Sequence, residues 1–258
     1  MTSPPLITLL TDFGAGSGYP AQMKGVILSV RPDAIVVDLS HEVPRHDVLA
    51  GALLLEACAP RFPPHAVHLA VVDPGVGTAR RAMCLVDPSG RRFVGPDNGL
   101  FTPFLGGGRT HLIADPKLVR ERASATFHGR DVFAPVAAWL AGGGDPGAIG
   151  PAIVDPVQLD WPAAELRGSE LHGQCLLADP FGNVLTSIRE VDLGAVAPVA
   201  VNVAGRAARV VRTYGEGCAG ELLALVGSSG RLEISIRAGN AAQLLSITRG
   251  APVVVRMR

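Results

Sequence analysis

Three aspartates close or follow apolar runs near the start of the chain: Asp12 after LITLLT (6–11), Asp38 within IVVDL (35–39) and Asp73 after VHLAVV (67–72). In open α/β sheets, ligands bind where strands end and loops converge. A carboxylate placed there can accept from hydroxyls, orient a water or take up a proton. Each of the three also fits an ordinary turn or helix cap, but together they point to a polar site. The segment VVDPGVGTARR (71–81) then adds two arginines after a glycine-bearing loop. Its turn lets Asp73 and one arginine face the same pocket, where the guanidinium keeps the carboxylate ionised. A plain turn with a surface ion pair fits Pro74, Gly75 and Gly77 equally well. His128, in TFHGRD (126–131), stands between a loop and a helix start, where both a structural and an acid–base role are open.

His41 and His46 flank a proline turn beside Asp47, without the spacing of a recognised metal site, so no metal is expected. GAGSG (14–18) lacks the full G-x-G-x-x-G and reads as a flexible turn near a ligand. Further along, DPFGN (179–183) forms a polar turn, and GSSGRLEISIRAGNAA (227–242) places Glu233 in a strand before a Gly-Asn turn. Hairpins explain both locally, and asparagine-bearing loops also suit recognition of a nucleobase.

Two structural periods must position these residues. Strands are expected at 6–11, 35–39, 67–72, 82–86 and 92–95, with helices at 20–30, 46–59 and 131–141. That alternation predicts an α/β domain with a largely parallel sheet over 1–150. Prolines and glycines punctuate 151–170 as a linker. Beyond it the helical period disappears, and short β-rich runs over 171–258 suggest a small antiparallel barrel or sandwich.

Composition narrows the function. The 258 residues are 48% hydrophobic and 18% charged, enough to bury a large core. The 23 basic and 23 acidic residues cancel and are scattered, which argues against nucleic acid or an anionic membrane as partner. The start of the chain lacks a basic leader, no apolar run approaches a membrane span, and the four cysteines are far apart. Together these predict a cytoplasmic protein with reduced cysteines.

Taken in order, TDFG (11–14), KGVILSVRPDAIVVDLSHEV (24–43), VVDPGVGTARR, GPDNGL (95–100), TFHGRD, DPFGN and LEISIRAGNAA (232–242) resemble the S-adenosylmethionine (SAM) hydrolases, also called SAM hydroxide adenosyltransferases. These are relatives of the fluorinases and chlorinases. The resemblance implies an N-terminal α/β domain, a barrel-like C-terminal domain and a homotrimer with active sites between subunits. It implies cleavage of SAM at the ribose 5′ carbon by water, giving adenosine and methionine, with no cofactor. Asp73, Arg80 and His128 match the catalytic positions of the water-using branch. Asp12, Phe181, Asn183, Ser228, Glu233 and Ala241 match substrate-binding positions, Asp12 on the ribose hydroxyls.

The halogenating enzymes carry a tyrosine in place of Asp73, a hydroxyl residue in place of Gly129 and a long insertion where this chain has only DPSGRR (87–92). Ser17 stands where the family often has an acidic residue, and Gly239 where the halogenases have an arginine. The alternatives are a halide-using transferase on the same scaffold, a metal-dependent phosphohydrolase built on the strand-end aspartates, and a non-catalytic adenosine-binding module.

Overall fold

The computed structural model describes residues 4–119, 123–194 and 198–257. Its contacts form two compact units, divided in sequence between Asp160 and Trp161. In the first unit six strands form one sheet: β1 (Leu6–Thr11), β2 (Ile35–Ser40), β3 (Val67–Val71), β4 (Ala82–Val86), β5 (Arg92–Pro96) and β6 (Arg109–Leu112), in the order β2-β1-β3-β5-β4-β6. The pairs β1/β2, β1/β3 and β3/β5 are parallel, while β4 runs antiparallel to both β5 and β6. Helices α1 (Tyr19–Val30) and α2 (Val48–Cys58) make the crossovers that parallel neighbours require.

β1 and β3 are apolar without alternation because both faces are covered, and every residue of β3 is buried. Successive side chains still point to opposite faces. Ile7, Leu9, Leu69 and Val71 join Met23 and Ile27 of α1 and the apolar residues of α3 (Ala134–Ala141) in one core. Facing the other way, the Thr8 hydroxyl meets His68 Nδ1 at 2.8 Å, and the His68 ring stacks on Phe93. Burial first, then the Arg91 charge, pushes His68 down to about 4, so it is a neutral core residue at neutral pH.

The helix expected at 131–141 begins differently. Gly129–Phe133 is a π-helical turn, and the α-helical part starts only at Ala134. Pro135 lacks the N–H that would bond to the carbonyl of Asp131, and its ring crowds that carbonyl. The wider turn accommodates both.

The second unit contains β7 (Glu165–Arg167), β8 (Glu170–Ala178), β9 (Val184–Arg189), β10 (Ala200–Val203), β11 (Arg206–Val210), β12 (Leu222–Val226), β13 (Arg231–Ile236) and β14 (Pro252–Arg256). The ring β8-β9-β13-β12-β11-β10-β14 closes through the β14–β8 pairing, and β7 lies along β8. The all-β unit is therefore a seven-strand closed barrel, antiparallel except for β11 and β12. Leu232, Ile234 and Ile236 of β13 enter its core, which leaves Glu233 and Ser235 on the outer face. Short helices α4 (Glu190–Leu193) and α5 (Ala241–Leu245), which no helical period announced, sit within it. All four cysteines are free thiols. Among the described residues, no helix is long and apolar enough to cross a membrane.

Candidate active site

β1 and β3 are adjacent and parallel, with Thr11 opposite Val71. Asp12 and Asp73 therefore leave neighbouring strands at the same end of the sheet, about 5 Å apart in the strand-to-strand direction before side chains are considered. Past β3, the Asn98 amide donates to the Val72 carbonyl (2.8 Å), which fixes the backbone just before Asp73. The loop then turns through Gly75 and Gly77 and returns Arg80 to Asp73. Gly77 has φ +79°, and a Cβ there would stand 2.8 Å from the Ala125 carbonyl oxygen, so only glycine lets this loop lie against residue 125.

Arg80 makes the central contact. Its Nε donates to Asp73 Oδ1 (3.0 Å) and its Nη2 to Asp73 Oδ2, the bidentate fork that a carboxylate matches. Both side chains are almost wholly buried, Arg80 at 7% and Asp73 at 5% exposure. Nη2 also lies 3.1 Å from His128 Nδ1, Nη1 donates to the Arg81 carbonyl (3.0 Å), and the guanidinium carbon sits 5.3 Å from the Phe133 ring centroid. Four of the five guanidinium N–H groups are thus engaged. A guanidinium has no acceptor, so His128 Nδ1 must accept, and the proton of the neutral ring sits on Nε2. Burial first, and then the Arg80 charge, hold His128 below its ordinary 6.5, against the opposite pull of Asp73 and Asp131.

The rest of TFHGRD holds His128 in place. Arg130 pairs with Asp131 through Nε (2.7 Å) and Nη2 (2.8 Å), and Asp131 Oδ2 also accepts from Ser124 N (2.9 Å). Beside it, Phe13, Tyr19 and Phe127 meet edge to face at 5.2–5.8 Å and line a cleft of about 420 Å³.

Asp12 Oδ2 accepts from the His46 N–H at 2.8 Å. Asp38 serves another purpose. Burial works against its ionisation, yet bonds from Lys24 (2.6 Å) and His41 (3.1 Å) hold it below its ordinary value. His41 in turn meets the Thr11 hydroxyl (2.9 Å), so this chain of contacts ends one residue before Asp12. GAGSG is a turn pinned by Gly14 N to the His41 carbonyl (2.8 Å). Among the described residues, no group of His, Cys, Asp and Glu forms a metal-binding cluster.

In the barrel, Asp179 Oδ1 accepts from the backbone of Phe181 and Asn183 (2.9 Å each), and its Oδ2 takes the Asn183 amide (2.9 Å). Ala242 N donates to the Gly182 carbonyl (3.0 Å), and Asn240 caps α5. Phe181, Asn183 and Ala241 therefore gather at one end of the barrel, with the Phe181 ring 79% exposed. Ser228 occupies the β12–β13 turn at the opposite end of β13. Glu233 lies between, buried on the outer face, where Oε1 accepts from Tyr214 (2.6 Å) and Ser235 (2.8 Å). Burial first, then this bond, pushes the Tyr214 phenol up to about 12. Sequence reasoning gave no role to Asp97, Asn98, Asp179 or Tyr214, although three of these four lie in the quoted motifs.

The comparisons agree with this architecture. Residues 7–150 match the SAM hydroxide adenosyltransferase N-terminal domain, and residues 173–254 the C-terminal domain of the same name. An (R)-S-adenosyl-L-methionine hydrolase of Salinispora arenicola is 42% identical over 97% of both chains. One from Thermus thermophilus is 41% identical over 96% of this chain and 98% of its own. A fluorinase of Nocardia brasiliensis is more distant, 29% identical over 73% of each chain. The crystal structure of an uncharacterized conserved protein from Thermotoga maritima superposes with a TM-score of 0.91 at 34% identity, covering 97% of this chain and 99% of its own. Through both of its domains, the chain belongs to the SAM hydroxide adenosyltransferase family.

Proposed function

We propose that this chain is an enzyme that hydrolyses SAM to adenosine and methionine. The observation that carries the reading is the buried Asp73–Arg80–His128 constellation at the end of β3. The sulfonium is already a good leaving group, so the reaction lacks only a positioned nucleophile. A water oxygen attacks the ribose 5′ carbon as the carbon–sulfur bond breaks, and that electron pair stays on sulfur as neutral methionine. The water's proton passes by way of Asp73 to solvent, so SAM and water become adenosine, methionine and one proton. Arg80 presents the Asp73 carboxylate as acceptor through its bidentate fork, and the His128 Nε2–H orients the water for attack. Holding that water in line removes much of the entropic barrier.

Asp12 takes the ribose hydroxyls, and Phe181, Asn183 and Ala241 take the nucleoside side. Ser228 and Glu233 carry over by family likeness alone. The same likeness supports a cytoplasmic homotrimer in which a neighbouring subunit completes each site, and a reaction without metal or cofactor.

The test is to incubate chelator-treated protein with SAM in halide-free buffer, using the (R)-sulfonium epimer first because the relatives are named for it. Equal adenosine and methionine, lost in Asp73→Ala, support the reading. Adenosine binding without turnover makes the chain a binding module instead. Light scattering in the same buffer reads the oligomeric state.

A further inference from the structure

Arg80 and Arg81 are neighbours in sequence, yet their guanidinium groups do different work. Arg81 turns away from Asp73. Its Nε and Nη2 both reach Asp97 Oδ2 (2.7 Å each), a carboxylate with no exposed surface. Its Nη1 donates to Asp155 Oδ1 and its Nη2 to the Asp155 carbonyl, both at 2.7 Å. Asp97 is also held by the chain beyond it, because Val157 N donates to its Oδ1 (2.8 Å). The main chain closes the loop: the Arg81 carbonyl accepts from Asp97 N (2.9 Å) and from Arg80 Nη1 (3.0 Å). Arg81 and Asp97 are therefore joined twice, once through backbone and once through side chains. The oxygen fixed between them is the third anchor of the catalytic guanidinium, after Asp73 and His128.

We propose that Arg81 is a positioning residue for the reacting centre: its fork, clamped between Asp97 and Asp155, locks its own carbonyl and so fixes the plane in which Arg80 holds Asp73 and His128. A guanidinium pinned only at Asp73 and His128 can swing about that edge and carry both partners with it. The third contact removes this freedom. Lysine at position 81 keeps the charge but gathers its three donors on one nitrogen, which cannot reproduce contacts that Arg81 spreads over Nε, Nη1 and Nη2. The kinetic arm of the test rests on the proposed hydrolysis, whereas the titration arm does not.

Arg81→Lys is compared with the parent in kcat and KM for SAM and in an NMR titration of the His128 ring. Among the described residues, the charged groups acting on that ring are Arg80 and Asp73 from the loop after β3, and Asp131 from its own turn. Loss of geometry without loss of binding should lower kcat by roughly tenfold or more with KM changed less than about twofold. The His128 midpoint should rise toward its ordinary value, because of the two causes that depress it, burial and then the Arg80 charge, the second stands farther off. An unchanged midpoint with kcat within about twofold of the parent, or an effect confined to KM, overturns the proposal. If Arg81→Lys does not fold, Asp155→Ala takes its place, since Asp155 is 76% exposed and supplies one of the two clamps. It should move both readouts in the same direction by less, and no movement in either overturns the idea. If the parent itself releases no adenosine, the proposed reaction fails while the midpoint shift still decides the positioning role.

Discussion

The tautomer of His128 decides what that residue contributes. Arg80 Nη2 lies 3.1 Å from Nδ1 and has only protons to offer, so the ring presents an N–H at Nε2 rather than a lone pair. A base at that position would need the opposite arrangement. The oxygen gives electron density to the 5′ carbon as it attacks, so a bond from Nε2–H orients the water rather than stabilising charge, and is worth about 0.5–1.5 kcal/mol, roughly 2- to 12-fold in kcat. The two ring nitrogens can be separated by substitution. Glutamine reaches the level of Nε2 and restores a donor there, whereas asparagine reaches only Nδ1 and restores the acceptor for Arg80. His128→Gln should therefore stay within about twofold of the parent, and His128→Asn should show the full loss. A general base would instead cost roughly 10²- to 10⁴-fold in both variants. Single-turnover adenosine release reads the kinetics, and ¹⁵N shifts of the ring at neutral pH read the tautomer. A proton found on Nδ1, or an asparagine variant faster than the glutamine one, would refute the reasoning.

The folded state resists protonation of His128 and His68 while the unfolded chain takes up those protons near the ordinary value of 6.5. Stability should hold above that pH and fall as pH drops from there to about 4, the His68 value, which thermal melts across the range will show. Activity should fall in the same direction, because a protonated His128 can no longer accept from Arg80. Asp73→Asn leaves the Arg80 guanidinium buried without a counter-charge and should cost about 3–5 kcal/mol of stability along with adenosine formation, read by denaturant unfolding and product assay. Gly77→Ala places a Cβ 2.8 Å from the Ala125 carbonyl at φ +79° and should destabilise by about 2 kcal/mol or more while lowering kcat. Added chloride or fluoride should leave adenosine as the product, and chromatographic detection of a 5′-halogenated nucleoside would contradict the hydrolase reading.

Much of this was legible in the residues, and the limits have physical causes. LITLLT reads as a doubly covered strand because continuous apolarity has no other economical explanation at that length, and VHLAVV reads as a further strand. Their register, which sets Asp12 beside Asp73, depends on pairing that one strand alone does not encode. β6 was missed because four residues of mixed polarity carry no period, and β7 because all three of its residues are exposed and only its backbone bonds hold it to β8. Adjacent arginines defeat a sequence reading more completely. Either could have faced Asp73, and which one does follows from Asp97, whose buried carboxylate claims Arg81. In β13 Leu232, Ile234 and Ile236 turn inward, and nothing in the strand announced Tyr214 as the cover over Glu233.

The charge balance at Asp73 bears on water against halide as nucleophile. A halide brings a full negative charge into the site and asks for donors and net positive potential. Here the Arg80 charge is already matched by a bidentate carboxylate that is itself 5% exposed, and His128, depressed below 6.5, is neutral at neutral pH. An anion held about 4 Å from Asp73 would meet a repulsion of about 4 kcal/mol at an effective dielectric of about 20, with the Arg80 attraction offsetting part of it. Water meets no such term. It can donate to the Asp73 carboxylate and accept from the His128 N–H at once, using both kinds of group the site presents. A carboxylate at position 73 therefore favours a water over an anion as the bound nucleophile, because it makes the local potential less positive while leaving the sulfonium chemistry untouched.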